Sequence, residues 1–524
     1  MSTRPLDRPT ARGATALRGG RRRRPTPYQV AGFLFWLLVT LAYWRVPLCC
    51  DAGQHAAVVE RLRADLLHPR HPTADLPGAG SPYYSPYAVA QGVFARLTGL
   101  GGWELVRLAG PLNLLVLLTG LGRLVRVLTP RPWAPVLALV ATALLWGTEP
   151  IRWSGYLGLM PMTGSLGYPS AFAAGLTFWA WALTGGRARD TRRVRYVGPS
   201  GLRGFAGYAG LGVLYGLILL VHPITSVAAV LGGLAFVAGW QRGWRPAVAG
   251  RWALTTATAV ATAALWPYYD VFTLPGDGSV DAVHRQLYTG LAGQFWLALL
   301  GLPALWLRGR RSARDPLVLL FGLGCLVAAY GWFSGHHTYG RVLGLALVPL
   351  QLAPAVELAA PRPWHRGRRL LGGAAAAGAC LGFLTVHAGA VVPRAWDPVG
   401  FERPPHWPAY AWAAQHIGRG EVVLTNGFAA TRTIAGYGPN LAAPAWPDPA
   451  LRERERQRRL ADVEAYLDPA STRTERAAVV RRYGVRWLLL TRWQRVPREA
   501  VVVAWSERTG EVLARVGRTG GLAR

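Results

Sequence analysis

Long apolar runs recur between positions 28 and 392, and the breaks between them are alternately rich and poor in arginine. That alternation constrains the fold more than any other feature. A run of about 20 apolar residues crosses a bilayer core, and loops rich in Lys or Arg stay on the cytoplasmic side. The pattern predicts a polytopic α-helical membrane protein with about eleven spans. The first six runs fall at 28–48, 104–127, 133–146, 168–183, 205–221 and 223–240, and the last at 370–392. Arginines crowd positions 21–24, 187–195, 242–251, 308–314 and 362–369, which are read as inner segments. An inner N-terminus and an odd number of spans put the C-terminus outside the cell membrane.

The formal net charge is +32, and all 58 basic residues are arginine. Such a balance on a soluble chain would point to nucleic acid or an anionic surface. Here the charge is confined to short breaks between apolar runs, as topology requires, so no nucleic-acid partner is expected. Cys49, Cys50, Cys325 and Cys380 form no disulfide framework, and no Cys/His spacing suits a metal.

Three regions are expected. Residues 1–27 read as a disordered basic cytoplasmic tail. Residues 28–392 read as the transmembrane domain, with a long first outer loop at 51–104 that carries an amphipathic helix lying in the membrane interface. Residues 393–524 turn polar and read as a small extracytoplasmic α/β domain. Its strands are expected at 421–426 and 485–491, and a charged helix at 449–467.

Ionisable residues are costly in the apolar core. In this chain they gather at the outer ends of the runs: Asp51, His55, Glu60, Glu104, Glu149, Arg152, His222, Asp270, His336, His337 and Arg341. A further outer loop, 268–293, holds Asp270, Asp277, Asp281, His284 and Arg285. Asp51 follows the first span directly. A carboxylate there is ionised yet shielded on one side, which suits a general base working beside a lipid. The competing reading makes Asp51 the N-cap of the helix that follows. Tyr83, Tyr84 and Tyr87 suit an interfacial belt or a sugar-stacking wall.

These features together resemble the GT-C class of membrane glycosyltransferases, which use polyprenyl-phosphate-linked sugars. The resemblance rests on Asp51 after the first span with His55 one helical turn on. It rests also on the TyrTyrSerPro segment at 83–86, the HisPro turn at 222–223, Arg341 at the start of a late span, and the TyrGlyValArgTrpLeuLeuLeu strand at 483–490. Members often carry a second acid beside the first-loop Asp; here Ala52 follows, a departure that bears on the mannosyltransferase branch in particular.

The resemblance implies a transfer from a polyprenyl-phosphate sugar to a hydroxyl on a glycan, lipid or protein acceptor. Asp51 is then the base, and Arg341, with His336 or His337, holds the donor phosphate. His55, Tyr83, Tyr84, Glu104 and His222 line the substrate site. Glu149 is a second acid. With Asp51 it would hold a divalent metal, Mg or Mn, since that loop helps do so in oligosaccharyltransferases. The competing functions are a transporter or flippase of a lipid-linked glycan and a non-catalytic scaffold. A transporter should show repeats or broken mid-span helices, and neither is evident.

Overall fold

The computed structural model describes residues 24–48, 50–76, 80–189, 201–276, 278–361, 363 and 365–517. The tail before position 24, Cys49, Asp277 and the arginines at 192, 193 and 195 lie outside the described residues.

Helices occupy every apolar run anticipated above. They include α1 (Pro27–Arg45), α2 (Ala52–Ala64), α3 (Pro86–Thr98), α4 (Gly102–Leu128), α5 (Ala134–Leu144), α6 (Leu159–Ser165), α7 (Pro169–Arg189), α8 (Gly201–Val221), α9 (Pro223–Trp240) and α10 (Pro246–Ala264). Short turns follow from 271 to 301, then helices at Leu302–Arg311, Pro316–Ser334, 337–359 and 366–391. Six helices among the described residues are long and apolar enough to cross a membrane: α1, α4, α9, and those at Pro316–Ser334, His337–Ala359 and Arg366–Val391. The 337–359 helix is the most enclosed of them. Where α7 crosses α4 the backbones close up, because a Cβ on Gly120 or Gly175 would press on the facing helix. Such small-residue contacts replace the hydrophobic driving force that lipid removes.

The C-terminal part forms one five-stranded sheet in the order β2-β1-β3-β5-β4. Its strands are β1 (Val422–Leu424), β2 (Asn440–Leu441), β3 (Val485–Leu490), β4 (Ala500–Trp505) and β5 (Val512–Val516). β1 runs parallel to β2 and β3, with Leu424 opposite Leu488; β5 runs antiparallel to β3, with Leu488 opposite Ala514. The return from β2 to β3 passes through helices Glu453–Leu467 and Arg473–Tyr483. The second of these starts on a capping box, in which Thr472 and Glu475 satisfy each other's backbone N–H. It ends at Gly484, whose φ of 62° needs a residue without Cβ.

In the loop at 51–104 the apolar side of α2 is covered by protein: Ala52, Ala56, Ala57, Val59 and Leu62 are fully buried. One side packs on α3 and α4, and the other on the 434–437 turn of the C-terminal part. The seam is polar where it is exact. The Arg61 guanidinium donates to the carbonyls of Gly438 and Pro439 and to Asn440 Oδ1 at 2.6–2.8 Å. Leu441 N–H donates to the Thr73 carbonyl at 2.7 Å, so the loop extends the β2 edge. Ser81 donates to Asp448 at 2.7 Å inside the same seam. An amphipathic pattern cannot say whether lipid or protein covers the apolar side; here protein does.

Candidate functional site

A cavity of about 1240 Å³ lies between the helical part and the C-terminal part. Asp51, His55, Tyr83, His222, His336 and Arg341 all line it. These residues come from segments almost 300 positions apart, and the fold brings them to one space.

Asp51 precedes α2 with φ −88° and ψ 0°, and its side chain makes no cap hydrogen bond. The capping role is therefore not what holds it. Burial pushes its carboxyl above the usual range, and the charges of Arg341 and then Arg432 oppose that rise. His55, one turn on, sets its ring edge against Tyr168 at 4.8 Å between centroids. Burial pushes its imidazole down to about 4, so it is neutral at pH 7.

Arg341 begins the 337–359 helix. Its Nη2 donates to the Ser154 carbonyl at 2.7 Å and to Ser154 Oγ at 3.0 Å, and its guanidinium lies 5.4 Å from the Trp153 ring centre. No carboxylate of the described residues pairs with it at ion-pair distance. A guanidinium fixed on one edge keeps N–H donors on the other, the geometry that suits a phosphate.

Beside it sits a network that sequence reading missed. Asp281 Oδ1 accepts from Thr338 N–H at 2.8 Å and Thr338 Oγ1 at 2.6 Å, and Oδ2 lies 3.3 Å from His336 Nδ1. Burial alone would raise the Asp281 carboxyl, but these hydrogen bonds hold it below its ordinary value, so it is ionised and accepts only. Thr338 Oγ1 spends its proton on that carboxylate. The His284 Nδ1, 2.9 Å from the same oxygen, must then donate to it, which leaves Nε2 as an acceptor. Burial, helped by the Arg341 charge, pushes His284 down to about 3. Its ring packs on Trp153 at 5.4 Å, closing the chain back to Arg341. The sequence signals for this network were the cluster of acids and histidine in loop 268–293 and, separately, His336; nothing linked the two.

Other expected residues fall elsewhere. Glu149 is exposed and lies against Gly290 and Gly293, where a Cβ would strike its carboxylate; it is absent from the cavity wall. His337 is edge-on to Tyr288 and Trp332, both at 5.8 Å, also off the wall. Glu104 caps α4, accepting from Gly101 N–H. Tyr84 is fully buried and its hydroxyl donates to the Arg70 carbonyl. Tyr87 stacks on Phe172 at 4.8 Å, so neither tyrosine forms an exposed belt. Arg152 does line the cavity, paired with Glu402 at 2.7 Å. The donor set does not fit a divalent metal: among the described residues no three His, Cys, Asp or Glu side chains converge, and Glu149 does not join Asp51 on the cavity wall.

No protein-family model matches the sequence, and no curated protein does. Solved structures do match. Arabinofuranosyltransferase AftD from Mycobacteria aligns at 18% identity and TM-score 0.56, over 94% of this chain and 40% of that one. ArnT from Cupriavidus metallidurans aligns at 14% identity and TM-score 0.51, over 93% of this chain and 97% of that one. The fold is of the GT-C type. The archaeal oligosaccharyltransferase AglB from Archaeoglobus fulgidus shares this GT-C fold at 11% identity and TM-score 0.51, over 89% of this chain and 69% of that one; its structure holds an inhibitory peptide and a dolichol-phosphate. This chain spans about two fifths of the length of AftD. Asp51, at the start of α2, and Arg341, near the start of the 337–359 helix, line the same cavity.

Proposed function

We propose that this chain is an integral-membrane glycosyltransferase that moves a sugar from a polyprenyl-phosphate carrier to a hydroxyl acceptor on the outer face of the membrane. The observation that carries the reading is the pairing inside one cavity of a half-buried, uncapped carboxylate, Asp51, with an arginine, Arg341, that meets no carboxylate of the described residues at ion-pair distance and is held for anion binding.

The chemistry follows from those two groups. The acceptor hydroxyl gives its proton to Asp51 as its oxygen attacks the anomeric carbon. The bond from that carbon to the carrier phosphate breaks, and the phosphate leaves with the electron pair. A phosphate leaving group needs no strong acid, but it needs a cation where its charge grows, and Arg341 supplies one. The neutral His284 offers Nε2 as an acceptor to a sugar hydroxyl, and His336 borders the phosphate side. Partial desolvation makes Asp51 a stronger base than a solvated aspartate. Glu149, Glu104, Tyr84 and His337 take no part in this reading, and no step passes through a metal.

The same reading takes the apolar helices as about eleven spans, including those shorter than a full crossing. It puts the N-terminus in the cytoplasm and the C-terminal α/β part, residues 393–524, outside the cell membrane. Sugar transfer by the purified full chain from a synthetic polyprenyl-phosphate sugar, set against an Asp51→Asn variant of equal melting temperature, tests it. Equal transfer by both proteins would reject Asp51 as base.

A further inference from the structure

The cavity wall contributed by the C-terminal part has its own composition. Trp407, Phe428 and Trp446 line it, and Pro404, Pro405, Pro447 and Pro449 frame them. Trp407 and Phe428 lie 5.5 Å apart between centroids. The Arg432 guanidinium is clamped between two of these rings, 4.0 Å from Phe428 and 4.6 Å from Trp446. Its Nη1 donates to the Phe428 carbonyl at 2.9 Å. Arg432 Nε and Trp446 Nε1 are buried with no hydrogen-bond partner among the described residues. The helix Ala430–Thr433 that carries Arg432 is pressed against α2. A Cβ on Gly53, two residues after Asp51, would run into the Arg432 carbonyl.

We infer that this wall is the acceptor subsite and that its acceptor is a saccharide; the inference rests on the glycosyltransferase reading above. Two features select the chemistry. Aromatic faces take the apolar C–H face of a sugar ring, and the Arg432 guanidinium packed on Phe428 and Trp446 holds those two rings in place. Four prolines give the wall no backbone N–H at those positions. An extended peptide is captured largely through main-chain hydrogen bonds, and this wall is poor in them. Phe428 is 68% exposed, so its ring is open to a ligand in the cavity. A sugar stacked there would hold a hydroxyl near Asp51, because Arg432 joins the platform to the first turn of α2.

Binding, rather than turnover, tests this. The detergent-solubilised full chain is passed over an array of arabinofuranosyl, mannosyl and glucosyl oligosaccharides, with unglycosylated peptides beside them and no lipid donor present. Retention on at least one saccharide class is expected. Trp446→Ala and Phe428→Ala should each weaken it about tenfold, the scale of one lost stacking contact. Phe428→Tyr should keep it. Trp493→Ala, at an exposed ring off the cavity wall, should leave it unchanged. If Trp446→Ala fails to fold, Phe428→Ala at its exposed ring carries the measurement. Retention on peptides alone, on no saccharide, or equally by the alanine variants overturns the inference. Because no transfer is measured, an active Asp51→Asn enzyme would defeat the catalytic reading and leave this result standing.

Discussion

The two walls of the cavity are held by different means. On the helical wall Arg341 and Asp281 are fixed by directional bonds. Ser154 grips Arg341 at two points, and Asp281 accepts from Thr338 and His336 together. On the C-terminal wall, rings and prolines meet by shape, with Arg432 held between two aromatic faces. Directional bonds place charge to within tenths of an ångström, which a leaving phosphate requires. Stacking tolerates rotation and sliding, which suits an acceptor that arrives and departs. The comparison therefore divides the expected phenotypes. Damage to the helical wall should appear in donor use and turnover, and damage to the C-terminal wall in acceptor use.

The largest effect belongs to Asp51, which lies between the walls. Asn keeps the size and removes the charge and basicity. The Asp51 side chain makes no cap bond, so the substitution takes no hydrogen bond from α2. Transfer should fall about 10²-fold or more while the melting temperature holds. Assays of sugar transfer and thermal unfolding on one preparation check this. A parallel loss of both would make Asp51 a structural residue and dissolve the division between the walls.

Arg341→Lys comes next. Lysine cannot bond both Ser154 oxygens and still present a fork to phosphate. The KM for the lipid donor should rise about tenfold or more, since a lost charge-assisted hydrogen bond is worth that much. The KM for the acceptor should stay put. A rise confined to acceptor KM would exchange the roles of the two walls.

How far these walls were legible in sequence follows the same division. Apolar runs located the helices because composition alone sets a span, and HisPro at 222–223 did mark a turn, with His222 capping α9. The strands at 422–424 and 485–490 were read from short apolar runs. β4 was not: Val501, Val502 and Val503 are exposed on an edge strand, without the burial pattern that marks one. Asp51, His55, Tyr83, His222, His336 and Arg341 were found as charges or rings at the ends of runs. Ser154, Thr338 and Arg432 were not, because a serine or an arginine at a turn has no periodicity, and its meaning comes from a partner far away in the chain. The 57-residue separation of Asp281 and Thr338 is such a case. Glu149 carried the same sequence signal as Asp51 and ended against two glycines; a loop charge says which end of the helices it occupies, not what it faces.

Asp281→Ala sharpens the helical side. It leaves the Thr338 N–H without its acceptor, at a cost of about 1–3 kcal/mol in stability. It also frees His284 from its fixed tautomer. A lower melting temperature and a several-fold rise in donor KM are expected. The pH dependence has a definite sign. The folded carboxyl is held below its ordinary value of about 3.9, so its contribution is present above that pH and is lost as pH falls through the lower folded value. The stability gap between wild type and variant should therefore close in acid. A gap that widened there would mean that Asp281 is protonated in the folded protein.

The smallest effect probes whether the C-terminal wall supplies charge as well as shape. Burial raises the Asp51 carboxyl; Arg341 and, less strongly, Arg432 pull it back. A general base works only when ionised, so the acid limb of turnover tracks this group. Arg432→Gln removes one of the two opposing charges. The carboxyl then rises further, and the acid limb must move to higher pH. Arg432→Lys keeps the charge while losing the planar clamp between Phe428 and Trp446, so its limb should stay near wild type even as acceptor KM rises. Arg341→Gln should move the limb further than Arg432→Gln, following the order of the two charges. The readout is turnover against pH at saturating donor and acceptor for all three variants, with melting temperatures alongside. An unmoved limb in Arg432→Gln would leave Arg341 as the sole counter-charge and reduce the C-terminal wall to a stacking surface. A limb displaced equally by Gln and Lys would show that the clamp, and not its charge, sets the environment of Asp51.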